Sequence, residues 1–209
     1  KDVFDKSLEK FKELGAEIVD VPLPHTKYGV GVYYIITPSE VSSNLGRFDG
    51  IRYGFSDDEA KGLVEGYKKS RGKGFGPEAK RRIMLGTYAL SAGYFDAYYV
   101  QAQKVRTIIK QELDSVLKDV DIILTPTASG PAFKIGEQSD DPLKMYLEDI
   151  FVTGPSLAGL PAMSIPAGFI DNLPMGIQLI AARFDEKTIF NFAHIFQENT
   201  DFHLQKPKI

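Results

Sequence analysis

The stretch Gly159-Leu-Pro-Ala-Met-Ser-Ile-Pro-Ala-Gly-Phe-Ile-Asp-Asn-Leu-Pro-Met-Gly-Ile-Gln-Leu-Ile-Ala181 carries two strand signals, Ala162–Pro166 and Gly176–Ala181. Both are short and largely apolar. A helical pattern over 186–199 follows, and Asp185 stands where its carboxylate can cap the first amides. Upstream, Asp121-Ile-Ile-Leu-Thr125 reads as a buried strand, separated from the first signal by a helix around 141–152. The long segment from Pro77 to about Lys118 is helical in pattern, and Pro77 suits a first helical turn. Gly86 and Gly93 weaken it, so it is expected as two helices or one bent helix. Further helices are expected over about 27–46 and 57–71. At the start of the chain, Phe4, Leu8, Phe11 and Leu14 share one helical face, and Gly15 is a natural stop. Ala16–Leu23 then alternates like a strand, ended by Pro22 and Pro24. Strands separated by helices and joined by short loops predict an α/β layered fold. The longest loop candidate is Ser129 to Asp141, nothing resembles a domain linker, and the chain reads as one unit.

Composition narrows the partners. The 209 residues are 43% hydrophobic, enough for a core. A formal charge of -3 offers no global attraction to nucleic acid, so any such contact would be local or made by another chain. The absence of cysteine excludes disulfides, thiolate metal sites and cysteine nucleophiles. No apolar run approaches the ~18 residues of a membrane span, and no signal peptide opens the chain. Lys1 leads straight into a helical pattern, which predicts a start inside a longer polypeptide.

Familiar catalytic motifs are few. HExxH, GxGxxG and phosphate-loop patterns are missing, and His25, His194 and His203 are far apart in sequence. Gly154-Pro-Ser156-Leu-Ala158 approaches a GxSxG elbow, but it ends in alanine and follows a helical pattern where the elbow needs a strand. The pairs Ser7/Lys10 and Ser115/Lys118 fall on polar helix faces and read as solvated surface. Gly72, Gly74 and Gly76 read as a turn ahead of Pro77. Tyr88, Tyr94, Phe95, Tyr98 and Tyr99 have helical spacing without interleaved basic residues, which favours core packing over a stacking platform. Lys80-Arg81-Arg82 would ordinarily be a solvated face; an arginine turned inward there needs a carboxylate, which a ligand could supply.

Several stretches together resemble the amidase-signature family. Gly159–Gly168 is similar to its "GLPA-x-S-x-P-x-G" segment, Pro174–Ile180 to its "P-x-G-x-Q-x-I" strand, and Asp121–Ala128 to its "D-hydrophobic-Pro-Thr" strand end. Ser42-Ser-Asn-Leu-Gly-Arg-Phe-Asp-Gly-Ile-Arg-Tyr-Gly54, Gly74-Phe-Gly76, Lys80-Arg-Arg82 and Ser91-Ala-Gly-Tyr-Phe-Asp-Ala-Tyr-Tyr99 narrow the resemblance. They are similar to the branch formed by glutaminase subunits of tRNA-dependent amidotransferases. The resemblance implies a mixed β-sheet core flanked by helices, with residues 1–209 as the C-terminal portion of one such domain. It implies no catalytic residue here, because the family's Lys–Ser–Ser triad lies N-terminal to the matched region.

What it carries over is the substrate side, with Tyr33, Arg82 and Asp149 as the residues holding glutamine. A guanidinium matches the α-carboxylate, an aspartate the ammonium, and Tyr33 offers a wall and a hydroxyl. The resemblance further implies two partners, the B and C subunits of the amidotransferase, with Glu-tRNA(Gln) reached mainly through the B partner. No cofactor is expected in this chain, ATP and magnesium being expected on that partner; a cytoplasmic location and no membrane are implied too. A general amidase of the same fold, and a non-catalytic scaffold derived from it, stand as alternatives.

Overall fold

The computed structural model describes residues 1–137 and 142–207. Along the chain run α1 (Asp2–Glu13), a 3-10 turn (Thr26–Tyr28), α2 (Gly29–Leu45), α3 (Leu63–Gly74) and α4 (Pro77–Ala89). A π-helical turn (Phe95–Val100) leads into α5 (Gln101–Val116), followed by β1 (Ile123–Pro126), α6 (Pro142–Leu147) and α7 (Thr153–Ala158). The chain closes with β2 (Ala162–Ile170), β3 (Leu173–Ile180) and α8 (Glu186–Glu198). Its contacts group into two compact units, one made of residues 1–30 with 106–209, the other of residues 31–105.

The first unit is built on an antiparallel sheet in the order β1-β3-β2. Asp171 and Asn172 form the two-residue connection between β2 and β3, both at positive φ (49° and 64°). That backbone twist matches the twist of paired strands and suits Asp and Asn. Both strands therefore run further toward the turn than their apolar runs indicate. The sheet buries Ile165, Ala167, Ile177 and Leu179 against Phe11 of α1 and Ile189, Ala193 and Phe196 of α8. Phe11 and Phe196 stack with ring centroids 5.0 Å apart. Asp185 caps α8 as expected, accepting from the Thr188 amide at 3.4 Å.

The expected strand Ala16–Leu23 is corrected. Its burial alternates only in two pieces, Ala16 and Ile18, then Val21 and Leu23, with Val19 and Asp20 both exposed between them, and no strand pairs with it among the described residues. Alternation settles which side chains face a core, whereas a strand also needs a hydrogen-bonded neighbour. A cleft of about 650 Å³ opens here, lined by Phe4, Leu8, Phe11, Ile18, Leu124 and Phe192.

The second unit is helical. Its expected helix 57–71 begins only at Leu63, because Gly62 adopts φ +87°, outside the helical region. The preceding loop is held by side chains. Asp49 accepts from the amides of Ile51 (2.9 Å) and Arg52 (3.1 Å). Asp57 accepts from the Glu59 amide and pairs with Lys73 at 2.5 Å, while its own amide donates to Ser70 Oγ. The long helical segment after Pro77 breaks at Gly93, with φ +86°, rather than at Gly86.

The aromatic segment is also corrected. Tyr88, Tyr94, Phe95 and Tyr98 are each at least 40% exposed and do not form a core. Their rings pack mainly on each other, Tyr88 on Tyr94 at 4.3 Å and Phe95 on Tyr99 at 5.4 Å. A π-helical turn holds more residues per turn than an α-helix, so spacing that looks α-helical no longer tracks one face. Hydrogen bonding to Tyr94 pushes the Tyr88 phenol up to about 12.

Candidate functional site

In the second unit, the site begins with a close approach of α2 and α4. Pro38 is buried inside α2, and Gly86 of α4 packs directly on its carbonyl. Four residues earlier on each helix stand Tyr34 and Arg82, so the contact that joins the helices also sets these two side by side. The Arg82 guanidinium carbon lies 5.6 Å from the centroid of the Tyr34 ring. Beside Glu78, Tyr33 adds to the shift that raises Arg82, and the Tyr33 and Tyr34 rings meet edge to face at 5.2 Å.

Arg82 Nε donates to Glu78 Oε1 at 2.7 Å, one helical turn before it. Glu78 also accepts from Arg81. The hydrogen bond from Arg82 holds the Glu78 carboxyl below its usual range, and the same bond raises Arg82 above its ordinary value. Lys80 instead donates to the Gly72 carbonyl at 2.6 Å. With 26% of its side chain exposed, Arg82 is partly shielded from water but reachable by a ligand. The carboxylate that the sequence leaves to be supplied by a ligand is already present within the helix. Its signal was legible, since a glutamate four residues before an arginine faces it on a helix.

Asp149 belongs to the first unit and sits in the turn after α6. Its amide donates to the Tyr146 carbonyl at 3.2 Å, and its carbonyl accepts from Val152 and Thr153, both at 3.1 Å. Buried Gln178 of β3 braces this turn, its amide nitrogen donating to Thr125 Oγ1 and to the Phe151 carbonyl, each at 3.0 Å. Next to Asp149, Glu148 accepts from Ser129 Oγ at 2.5 Å. Thr127 and Ser164 share a hydroxyl contact of 2.7 Å at the strand ends. Of the three residues expected to hold substrate, Tyr33 and Arg82 are thus brought together, and Asp149 is held by the backbone of the first unit.

The near-elbow at Ser156 is not an elbow. Ser156 lies inside α7 and its hydroxyl donates back to the Val152 carbonyl at 2.7 Å. His25 pairs with Glu112 at 3.1 Å and His194 with Glu198 at 3.3 Å. Among the described residues, no serine hydroxyl is hydrogen-bonded to a histidine or lysine.

Residues 1–190 match the family model described as Amidase, and the chain belongs to the amidase family. It is 54% identical over 209 residues to the A subunit of the glutamyl-tRNA(Gln) amidotransferase of Carboxydothermus hydrogenoformans, covering all of this chain and 43% of that protein. The corresponding protein of Geobacillus thermodenitrificans is 53% identical over 201 residues, 96% of this chain and 41% of its own length. Among solved structures, the A subunit of the Thermotoga maritima glutamyl-tRNA(Gln) amidotransferase superposes with a TM-score of 0.73 at 41% identity, covering 100% of this chain and 42% of that one. An amidase at 20% identity and TM-score 0.72 shares the fold. The chain spans about two fifths of the length of these relatives. No helix among the described residues is long and apolar enough to cross a membrane.

Proposed function

We propose that this chain is the C-terminal portion of the glutaminase subunit of a glutamyl-tRNA(Gln) amidotransferase and contributes its substrate-recognition side. The observation that carries this is Arg82, a partly shielded guanidinium held by Glu78 and flanked by the Tyr34 ring. A guanidinium is the side chain best matched to a carboxylate, and glutamine differs from a simple amide by its α-carboxylate and ammonium. Asp149 is the counter-charge for the ammonium, and Tyr33 adds a hydroxyl and an aromatic wall. Acyl transfer from the glutamine amide to a serine of the family's Lys–Ser–Ser triad, in the preceding part of the polypeptide, releases ammonia, and water then cleaves the acyl ester to release glutamate. Ammonia then passes to the B partner, which uses ATP and magnesium to convert Glu-tRNA(Gln) to Gln-tRNA(Gln). A small C partner holds the two together, and the assembly works in the cytoplasm. A general amidase of neutral substrates is the less favoured reading, since a neutral amide offers no carboxylate to the part of the Arg82 guanidinium that Glu78 leaves open.

The test is Arg82→Ala in the intact amidotransferase. Removing one partner of a shielded charge pair costs ~2–5 kcal/mol, or roughly 30-fold to several-thousand-fold in glutaminase kcat/KM. Arg82→Lys should also be poor, because an ammonium cannot reproduce a bidentate fork. Amidation driven by added ammonia should survive both changes. An equal fall in ammonia-driven amidation would assign Arg82 to the fold or to an interface with a partner.

A further inference from the structure

The geometry points to Glu78 as a positioning residue for Arg82, one that presets the guanidinium to receive a single carboxylate. This rests on the assignment of Arg82 to the α-carboxylate of glutamine, and it adds the group that makes Arg82 competent. Three observations carry it. Glu78 takes the Nε edge of Arg82 at 2.7 Å, while the Tyr34 ring lies 5.6 Å from the guanidinium carbon and limits its movement on that side. A guanidinium has a second bidentate edge at its two terminal nitrogens, so occupying Nε directs an incoming carboxylate to that end. Glu78 lies in the first turn of α4, whose start is set by Gly76 in an extended conformation and by Pro77. A carboxylate is favoured there by the helix dipole, and the backbone that carries it is rigid.

The charges within the trio are compatible with this role. Arg81 and Arg82 both bind Glu78, so two guanidiniums share one carboxylate. Glu78 thus orients Arg82 while the trio keeps a net positive charge for a substrate carboxylate to meet. Without Glu78 the arginine side chain would regain rotamer freedom, and the ordering cost would fall on substrate binding. Glu78 acts through Arg82 and is not assigned a contact with the scissile amide.

The experiment compares Glu78→Ala, Glu78→Gln and Arg82→Ala in the intact amidotransferase on two substrates. These are glutamine and 4-aminobutanamide, the same amide without its α-carboxylate, used at concentrations where the unaltered enzyme turns it over measurably. Glu78→Ala should lower kcat/KM for glutamine roughly tenfold, mainly through KM, the size expected for one charge-assisted hydrogen bond. Turnover of 4-aminobutanamide should stay within about twofold. Glu78→Gln, which keeps an acceptor oxygen, should recover part of the loss. Ammonia-driven amidation should be unchanged in all three, showing intact folding. Parallel losses on both substrates would overturn the proposal, making Glu78 a support for α4. It is equally overturned if Arg82→Ala erases the preference for glutamine while both Glu78 variants keep it in full. If Arg82→Ala itself keeps that preference, the assignment of Arg82 fails first, and the role of Glu78 fails with it.

Discussion

A Cβ built on Gly86 would lie 1.9 Å from the carbonyl oxygen of Pro38 and 2.8 Å from Ser42 Oγ. The obstacle is helix backbone, which cannot rotate aside, so any side chain at 86 forces α2 and α4 apart. Gly86→Ala should therefore destabilise by about 3 kcal/mol or more through overpacking, against about 1 kcal/mol gained from helix propensity. Urea unfolding followed by far-ultraviolet circular dichroism measures the balance. A midpoint equal to that of the unaltered protein would mean the helices are not in contact there. Because the same contact aligns Arg82 with Tyr34, the variant should also lose glutamine affinity in the intact enzyme.

Asp149 is held by hydrogen bonds from the Val152 and Thr153 amides to its carbonyl, which fix its backbone and leave the carboxylate's role to be tested by charge removal. Asp149→Asn keeps the size and removes the charge. Glutamine hydrolysis by the intact amidotransferase should fall by an order of magnitude or more, as for loss of one partner of a charge pair. Hydrolysis of propionamide, which has no ammonium, should change little. Equal losses on the two substrates would assign Asp149 to the scaffold.

The loop before α3 is predicted to be acid-sensitive. Its pairing with Lys73 holds the Asp57 carboxyl below the usual range, and the Ile51 and Arg52 amides do the same for Asp49. A depressed folded-state value means a contribution that is complete above the unfolded carboxylate range, about pH 4, and is lost as pH falls through the lowered value. Lys73 is correspondingly raised by Asp57, so its share is complete below the usual lysine range and is lost as pH rises through the raised value. The stability difference between the unaltered protein and Asp57→Asn, read from urea midpoints, should be constant near neutrality and shrink below about pH 4. A difference unchanged at low pH would show that size, not charge, is what Asp57 contributes.

The 209-residue chain assayed alone should release no ammonia from glutamine. Amide cleavage needs an activated nucleophile and oxyanion donors. Ser156 spends its hydroxyl on the Val152 carbonyl, and Ser129 donates to the Glu148 carboxylate, too weak a base to activate an alcohol. Cooperative unfolding of the sample would first establish that it is folded. Turnover abolished by Ser156→Ala or Ser129→Ala would reverse this conclusion.

Much of the local structure is legible in the sequence. The 3.6-residue spacing of Phe4, Leu8 and Phe11 marks α1, the apolar runs mark β1, β2 and β3, and Asp185 announces the start of α8. These features depend on neighbours close in sequence, whose geometry a helix or strand dictates. The aromatic run from Tyr88 misled because a left-handed glycine and a π-helical turn changed the phase of the spacing. The helix expected from residue 57 was shortened by the side-chain bonds of Asp57 and the conformation of Gly62.

By itself the sequence determined the phase of α1, the α/β class, the absence of thiol chemistry and the motifs of the amidase family. It also contained Glu78 four residues before Arg82, a pairing that follows from helical pitch alone. Tertiary structure decided the remainder. It brought Tyr33, 49 positions away in sequence, to the Arg82 guanidinium through the Gly86–Pro38 contact. It also left Ala16–Leu23 without a paired strand among the described residues, since alternation is a property of one segment and a ladder is a property of two. Side-chain periodicity is written locally, whereas a hydrogen-bond partner or a close approach of helices is set by distant parts of the chain.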